Sequence, residues 1–236
     1  IFGSNGQKIA DEIEQEIEQL IENKAQIKIS KEGSVVKDEN GRNDYITYLL
    51  STISKPLNGI TVVVDCAHGS ASTYAPEVLK RAGAEVIVIG ASPDGENINK
   101  GCGSTHLDLL AARVLQSGAD LGIAHDGDAD RALLIDGQGK IVDGDALLAL
   151  LAISAKKKGE LPGNKIVATV MSNLGFLNKM KDEGITVEVS SVGDRYVLEL
   201  MLANEIYFGG EQSGHVILRK FATTGDGILT ALHILV

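Results

Sequence analysis

The sequence predicts an α/β fold with two consecutive domains, each built on a mixed, largely parallel sheet. Short apolar runs that are rich in β-branched residues, such as "TVVVD", alternate with longer segments of helical periodicity. A charged stretch that contains Pro and Gly, "KKKGELPGN" at 156–164, interrupts this alternation, which then restarts. The alternation predicts the fold class, and the interruption predicts a domain boundary.

The N-terminal segment combines one helix with a turn-rich stretch. Residues 11–22, "DEIEQEIEQLIE", place Ile and Leu side chains on one helical face and acids on the other, as in a solvated amphipathic helix. Residues 23–42 are polar and rich in turn residues, so they predict a hairpin or linker. A further helix is predicted at 43–54.

Apolar runs, helical periodicity and turn residues define the elements that follow. Helices end near Gly83 and Gly118, and Asp-Gly and Gln-Gly pairs predict a hairpin. Before the boundary we predict strands at 59–67, 84–91 and 120–126, helices at 72–83, 107–119 and 146–159, and a hairpin at 131–145. After the boundary we predict strands at 165–170, 186–191, 207–210 and 215–220, and helices at 175–184, 195–204 and 226–236.

The bulk composition narrows the functional class. The 236 residues carry a formal net charge of -10, which argues against a nucleic-acid partner because phosphate backbones require a basic face. No apolar run approaches the roughly 20 residues that a membrane span needs, and the N-terminus has no secretory pattern. Cys66 and Cys102 form no metal or disulfide framework. We expect a cytoplasmic protein that binds neither nucleic acid nor membrane.

An aspartate cluster follows the strand predicted at 120–126. Asp126, Asp128 and Asp130 are two residues apart, so their carboxylates would crowd on one side of an extended chain and raise each other's pKa. A divalent cation would remove that repulsion, and an all-oxygen ligand set suits magnesium or calcium rather than zinc. Gly127 and the small Ala129 let the backbone curl so that the carboxylates converge.

The position of this cluster favours a site over the alternatives. Parallel α/β sheets bind ligands at the carboxyl ends of their strands, which is where the cluster is predicted. Plain turn chemistry or a surface acid cluster are the competing interpretations. A calcium-hand loop is a poor match because its required Gly and Glu positions hold Arg131 and Gly137. A phosphate oxygen would complete a magnesium shell, and Arg131 is suited to clamp a phosphate.

Several motifs together resemble the α-D-phosphohexomutases. The sequence "DGDADR" at 126–131, here named the metal loop, resembles that family's metal-binding loop. The sequence "GGEQSGH" at 209–215, here named the sugar loop, resembles its sugar-binding loop. Further similar segments are "VVDCAHG", "PDGENIN", "VGDRYV" at 192–197 and "TTGDG" at 223–227. The motifs occur in the family's order and are most similar to the branch that acts on hexosamine phosphates.

The resemblance implies a larger parent protein. Members have four domains around a cleft, with a phosphoserine in the first, the metal loop in the second and the sugar loop in the third. This chain contains no Ser-His-Asn-Pro phosphoserine motif, and it starts at Ile1 rather than Met. We therefore expect a tail of the phosphoserine domain at 1–42, a metal-binding α/β domain at 43–160 and a sugar-binding α/β domain at 161–236.

The resemblance also implies roles for individual residues. Magnesium would bind the three aspartates, and Arg131 would hold the phosphoryl group as a catalytic residue. The residues expected to bind a hexosamine phosphate substrate are Glu211, Ser213, His215, Gly193, Asp194 and Arg195. For His215 a role in the loop backbone, and for Arg195 a surface ion pair, stay open as alternatives.

Other polar residues are interpreted as structural. His125 is not expected to bind metal because its side chain should point away from Asp126. At the position of Ala129 the family's metal loop more often has Gly. Asp143 and Asp145 precede a helix and predict capping. His68 is expected to cap a loop. The residues interpreted as neither nucleophiles nor bases are Ser70, Ser72, Ser104, His106 and His233.

Alternative functions stay open at this point. One alternative is a phosphomannomutase or phosphoglucomutase, which would act on mannose or glucose phosphates by the same mechanism. An alternative of a different class is a non-catalytic, magnesium-dependent sugar-phosphate binding module. A haloacid-dehalogenase-like phosphatase is disfavoured because its Asp-x-Asp pair lies on the first strand, which here ends in "VVVDCAH". A homodimer of the full-length protein is left open. The isolated chain is expected to lack mutase activity.

Overall fold

The computed structural model describes residues 1, 3, 4, 6, 8–23 and 33–236. The chain divides into two compact units, Ile1–Arg42 and Asn43–Val236. In the first unit, helix α1 occupies Asp11–Glu22 as predicted, with acids in its first turn where the helix dipole favours negative charge. Of the predicted hairpin or linker at 23–42, residues 24–32 lie outside those described, residues 33–40 form neither helix nor strand, and a helix begins at Gly41.

From residue 41 onward, strands and helices follow one another as the sequence predicts. The strands are β1 (Thr61–Asp65), β2 (Glu85–Ile89), β3 (Leu121–His125), β4 (Ala132–Asp136), β5 (Ile141–Val142), β6 (Lys165–Thr169), β7 (Thr186–Ser190), β8 (Phe208–Gly210) and β9 (Val216–Leu218). The helices are α2 (Gly41–Ser51), α3 (Ala71–Arg81), α4 (Asp108–Ser117), α5 (Gly144–Lys157), α6 (Leu174–Asp182), α7 (Asp194–Ala203) and α8 (Gly227–Leu235).

The first sheet has five strands in the order β2-β1-β3-β4-β5. The pairs β1–β2 and β1–β3 are parallel, whereas β3–β4 and β4–β5 are antiparallel. Alternate residues of β1 pack on opposite faces, with Val62 and Val64 in the core that contains α3 and Val63 in the core that contains α4. The continuous apolar run of β1 therefore reflects burial on both faces.

The second sheet has four strands in the order β7-β6-β8-β9. The pairs β6–β7 and β6–β8 are parallel, and β8–β9 is antiparallel. Val167 of β6 packs with Val197 and Met201 of α7, while Ile166 and Ala168 join the larger core. The two sheets with mixed strand orientation confirm the predicted α/β fold class.

Helices α5 and α8 supply much of the large core shared by residues from both sheets. Leu147, Leu148 and Leu151 of α5 are buried there, together with Ile228 and Leu229 of α8. Helix α5 begins against the sugar loop and α8 begins against the metal loop, so the packing of these helices positions both loops. None of the helices in the described ranges is long and apolar enough to cross a membrane.

A partly buried histidine on α8, His233, links this helix to the segment that follows α2. The Nε2 atom of His233 lies 3.1 Å from Thr52 Oγ1, and its ring packs on that of Phe221 at a centroid distance of 4.6 Å. Burial lowers the pKa of His233 to about 4. The charged groups that act on it are Lys158 and Lys220, which lower its pKa, and Glu160, which raises it.

We expect His233 to make folding pH-dependent. Its pKa is about 4 when folded and about 6.5 when unfolded. Between these values the unfolded chain binds more protons, so the free energy of unfolding falls as pH drops from about 6.5 toward 4. Urea unfolding at pH 5 and pH 7 measures this, and His233→Gln should reduce the difference, whereas His106→Gln, at an exposed histidine, should not. If His233→Gln leaves the pH dependence of unfolding unchanged, His233 is not the group responsible for it.

Candidate metal and sugar-phosphate site

The metal loop follows β3 directly at the carboxyl end of the strand. Asp126, Asp128 and Asp130 each place one carboxylate oxygen within 4.8 Å of the others, as required for a shared cation. Ala129, between two of them, has a φ of 61°, in the left-handed region. This conformation gives the loop its curl, and it explains why Gly is a natural residue at that position.

Electrostatic repulsion is present within the loop. The Asp126 side chain is only 15% exposed. Burial, followed by the charge of Asp130, raises the pKa of Asp126 to about 6, and Asp128 adds to the effect. A hydrogen bond from Arg131 N to Asp126 Oδ1, at 3.2 Å, acts in the opposite direction. These carboxylates therefore fit a divalent cation, which would favour their charged forms.

Arg131 lies beside the carboxylates and remains partly accessible. Its Nε atom is 3.5 Å from Asp126 Oδ2 and 3.6 Å from Asp130 Oδ1. The side chain as a whole is 41% exposed, although its Nε atom is buried. Arg131 can thus contact an anionic ligand on the same side as the carboxylates.

Donors from three separate segments hold the backbone carbonyls of the metal loop. The hydrogen bonds run from Ser70 N to Gly127 O (2.9 Å), from Gly227 N to Ala129 O (2.9 Å) and from His125 Nδ1 to Arg131 O (3.0 Å). His125 is fully buried, and burial lowers its pKa. Among the described residues, the group that could hold a metal ion consists of the three aspartates and does not include His125.

The sugar loop forms a tight turn between β8 and β9. Glu211 N donates to His215 O at 2.9 Å, and Gly214 N donates to Glu211 O at 3.0 Å. The Glu211 carboxylate is positioned by Gly193 N, which donates to its Oε1 at 2.9 Å. The buried hydroxyl oxygen of Ser213 has no hydrogen-bond partner among the residues that the structure describes, so it can serve a ligand hydroxyl.

The structure brings the sugar loop against the metal loop. Ala132 N donates to Gly214 O at 3.1 Å, and Arg131 and His215 form an isolated antiparallel bridge. His215 Nε2 lies 3.6 Å from Asp130 Oδ2 and 3.9 Å from Asp194 Oδ2. The two loops, predicted from distant parts of the sequence, are therefore neighbours.

Arg195 differs from the other residues of this group. Its Nε atom donates to Glu199 Oε1 at 2.8 Å along α7. This contact is the surface ion pair that the sequence left open as an alternative role. The preceding residue, Asp194, instead directs its carboxylate toward His215 of the sugar loop.

Asp145 has a role that the sequence did not predict. Asp143 caps α5 as predicted, accepting from Ala146 N at 2.9 Å. The capping role predicted for Asp145 is wrong, because Asp145 lies inside the first turn and is buried. Its carboxylate instead accepts from Ser172 Oγ and from the backbone and side-chain nitrogens of Asn173, at 2.7–2.8 Å. It thereby ties α5 to the start of α6.

Asp65 and His68 hold the loops that follow β1 and β2. Asp65, fully buried at the end of β1, accepts from Ala67 N at 2.9 Å and from Gly103 N at 2.8 Å. The only sequence signal for this role was an Asp that ends an apolar strand. The loop role predicted for His68 is confirmed, since its Nδ1 accepts from Ser92 N at 3.1 Å.

We expect Gly144→Ala to disturb the contact between α5 and the sugar loop. A Cβ atom at residue 144 would lie 2.2 Å from Glu211 O and 2.6 Å from Gln212 O, so the backbone must shift. Overpacking of this kind costs about 1–3 kcal/mol, or several degrees in melting temperature. Gly175→Ala, at the start of α6, meets only the Asn173 side chain, at 3.1 Å, and is the matched control. Equal melting temperatures for G144A and G175A would show that the contact at residue 144 tolerates a methyl group.

Two family models match the chain. The model described as phosphoglucomutase/phosphomannomutase, alpha/beta/alpha domain II, matches residues 43–139, and that for domain III matches residues 143–236. Helix α5 thus falls within the second match, whereas the boundary predicted near residue 160 places this helix in the first domain. The division into 1–42, 43–160 and 161–236 stays a prediction.

Curated phosphoglucosamine mutases are similar over nearly the whole chain. The protein from Paenarthrobacter aurescens (strain TC1) is 52% identical over 234 residues, which cover 99% of this chain and 52% of that protein. The protein from Thermobifida fusca (strain YX) is 51% identical over 235 residues, with 99% and 52% coverage. The chain spans about half the length of the curated relatives it matches.

Solved structures share the fold at low identity. A phosphoglucomutase/phosphomannomutase family protein from Burkholderia thailandensis has a TM-score of 0.83 at 23% identity, covering 97% of this chain and 49% of that one. Aspergillus fumigatus N-acetylphosphoglucosamine mutase, solved in complex with GlcNAc-6P and magnesium, has a TM-score of 0.63 at 18% identity, covering 84% and 47%. The chain belongs to the phosphoglucomutase/phosphomannomutase family of mutases, of which it carries α/β/α domains II and III.

Proposed function

We propose that this chain is the metal-binding and sugar-binding part of a phosphoglucosamine mutase, which interconverts glucosamine 6-phosphate and glucosamine 1-phosphate. The observation that carries the proposal is the direct backbone pairing of the metal loop with the sugar loop, through Ala132 and Gly214 and through Arg131 and His215. Identity of about 50% to curated phosphoglucosamine mutases over nearly the whole chain supports the choice of substrate.

Magnesium is the proposed cofactor. The three carboxylate groups are close enough to share an ion, no His or Cys belongs to the group, and the pKa of Asp126 is raised in the absence of a cation. Hard oxygen donors of this kind suit magnesium. The A. fumigatus protein of the same fold was solved with magnesium. Bound magnesium would supply positive charge that neutralises the transferring phosphoryl group.

Side chains of the protein then bind the phosphoryl group and the sugar. Arg131, held next to two of the aspartates but partly exposed, contacts the phosphoryl oxygens. Glu211 has its Oε1 atom fixed by Gly193 N, and we assign its carboxylate to sugar hydroxyls. Ser213 contributes its buried hydroxyl, which has no hydrogen-bond partner among the described residues. The further substrate-binding residues that we propose are His215, Gly193, Asp194 and Arg195.

The reaction of the whole protein follows from the resemblance. A phosphoserine donates its phosphoryl group to the sugar, giving a bisphosphorylated intermediate that returns its other phosphate to the serine. The phosphoserine motif is not in this sequence, so we propose that the chain alone is inactive. The product would supply UDP-N-acetylglucosamine and cell-wall precursors in the cytoplasm. A homodimer of the whole protein stays open.

We expect the isolated chain to bind a divalent cation through the metal loop. Asp128 is exposed, so Asp128→Asn should leave the fold intact while removing one ligand charge. Titration with Mn²⁺ as the probe should show the affinity lowered by about tenfold or more, which is about 1.4 kcal/mol. Asp94→Asn, at another exposed aspartate, is the matched control and should bind like the wild type. Equal affinity of D128N and wild type would remove Asp128 from the site.

The substrate assignment is tested on a full-length protein that contains this sequence. We expect kcat/KM with magnesium to be highest for glucosamine 6-phosphate, compared with mannose 6-phosphate and glucose 6-phosphate. A preference for mannose or glucose phosphate would keep the mechanism and favour the phosphomannomutase or phosphoglucomutase alternative. Binding without turnover of any of the three sugars would favour a non-catalytic binding module.

A further inference from the structure

His125 is the last residue of β3, immediately before the metal loop. Its side chain is completely buried. On the neighbouring strand it pairs with Ala132, the residue that follows the loop. His125 and Ala132 therefore bracket the two ends of the metal loop, and among the described residues the imidazole is not one of the groups that could hold the cation.

The hydrogen bond of His125 has a defined direction. Its Nδ1 atom lies 3.0 Å from Arg131 O. A carbonyl oxygen can only accept, so Nδ1 carries the proton in this contact and Nε2 does not in the neutral ring. Nε2 has no hydrogen-bond partner among the described residues, which is consistent with this tautomer. The useful atom of the ring is thus the Nδ1 donor.

The Arg131 carbonyl lies at a crowded junction. A Cβ atom on Gly227 would be 2.1 Å from Arg131 O, so the start of α8 packs directly against this carbonyl. Gly227 N is already used by Ala129 O, at 2.9 Å. Since Gly227 N is committed to another oxygen, the hydrogen bond that the Arg131 carbonyl accepts is supplied by His125.

Arg131 also connects this carbonyl to the aspartates. Its backbone nitrogen donates to Asp126 Oδ1 at 3.2 Å, and its guanidinium lies 3.5 Å from Asp126 Oδ2. A hydrogen bond that fixes the Arg131 carbonyl limits rotation of the Arg131 backbone, on which both contacts to Asp126 depend. The effect of His125 can therefore reach the metal ligands through one residue.

We propose that His125 is a positioning residue, whose Nδ1–H holds the Arg131 carbonyl and thereby sets the geometry of the Asp126 carboxylate and the Arg131 guanidinium. This inference rests on the proposed function, because the cation and the phosphoryl group are what that geometry would serve. His125 itself neither coordinates the cation nor contacts the substrate.

Two substitutions separate this role from ordinary core packing. Asparagine carries an amide Nδ2 at the same number of bonds from Cβ as the histidine Nδ1, so His125→Asn retains a donor but removes volume. His125→Leu fills more of the buried space but has no donor. If His125 only fills space, His125→Leu should be the more stable of the two variants. If its donor positions Arg131, His125→Asn should bind the metal more tightly.

The experiment measures Mn²⁺ affinity by calorimetric titration and melting temperature by thermal unfolding, on the same samples of the 236-residue chain. His125→Leu should bind Mn²⁺ about tenfold more weakly than wild type, the effect expected when a residue that orients a metal ligand is lost. His125→Asn should stay within about threefold of wild type even where its melting temperature is lower. His106→Leu, at an exposed histidine, is the control for loss of an imidazole.

The outcomes distinguish this inference from the proposed function. Equal weakening by both substitutions, or an affinity that follows melting temperature, would overturn the positioning role and leave the metal site standing. No Mn²⁺ binding by the unaltered chain would overturn the proposed metal site and the inference together. Preserved affinity in His125→Leu would show that the Arg131 carbonyl does not need this donor.

Discussion

The convergence of three carboxylates on one short loop is the constraint on which the site depends. Asp126, Asp128 and Asp130 repel one another, and the pKa of Asp126 rises to about 6. A free loop would relax by opening. Here the loop carbonyls accept hydrogen bonds from the segment before α3, from the first residue of α8 and from the imidazole that ends β3. The fold thus maintains a charge arrangement whose repulsion a shared cation would relieve.

The same contacts explain why the sugar loop lies where it does. Backbone groups join the metal-loop region to the sugar loop and to α8, and α5 begins against the sugar loop through Gly144 N and Gln212 O at 3.1 Å. Such contacts require glycine. A Cβ atom would meet backbone at 2.1 Å on Gly227 and at 2.2 Å on Gly144. Close approach of two loops from different sheets therefore holds the proposed phosphoryl and sugar contacts at a fixed separation.

Local patterns in the sequence predict much of this structure. The features that the sequence does not predict depend on contacts between residues far apart in the chain. The strands and helices of 59–236 follow from apolar periodicity, and the aspartate spacing predicts the group that could share a metal. The roles of Asp145 and Asp65 could not be predicted, because their partners near residues 172 and 103 are backbone and small side-chain donors without a recognisable pattern. The ion pair of Arg195 with Glu199 is local, and the i to i+4 spacing already allowed it.

Anomalous diffraction from crystals grown with Mn²⁺ would test the shared-cation site most directly. We predict one strong peak on the metal loop, with an oxygen of Asp126, Asp128 and Asp130 each about 2.1 Å away, the distance expected for a small hard cation. The peak should lie on the side of the loop that Arg131 contacts. A peak elsewhere on the protein, or none at a Mn²⁺ concentration that saturates binding in solution, would contradict a cation shared by these three carboxylates.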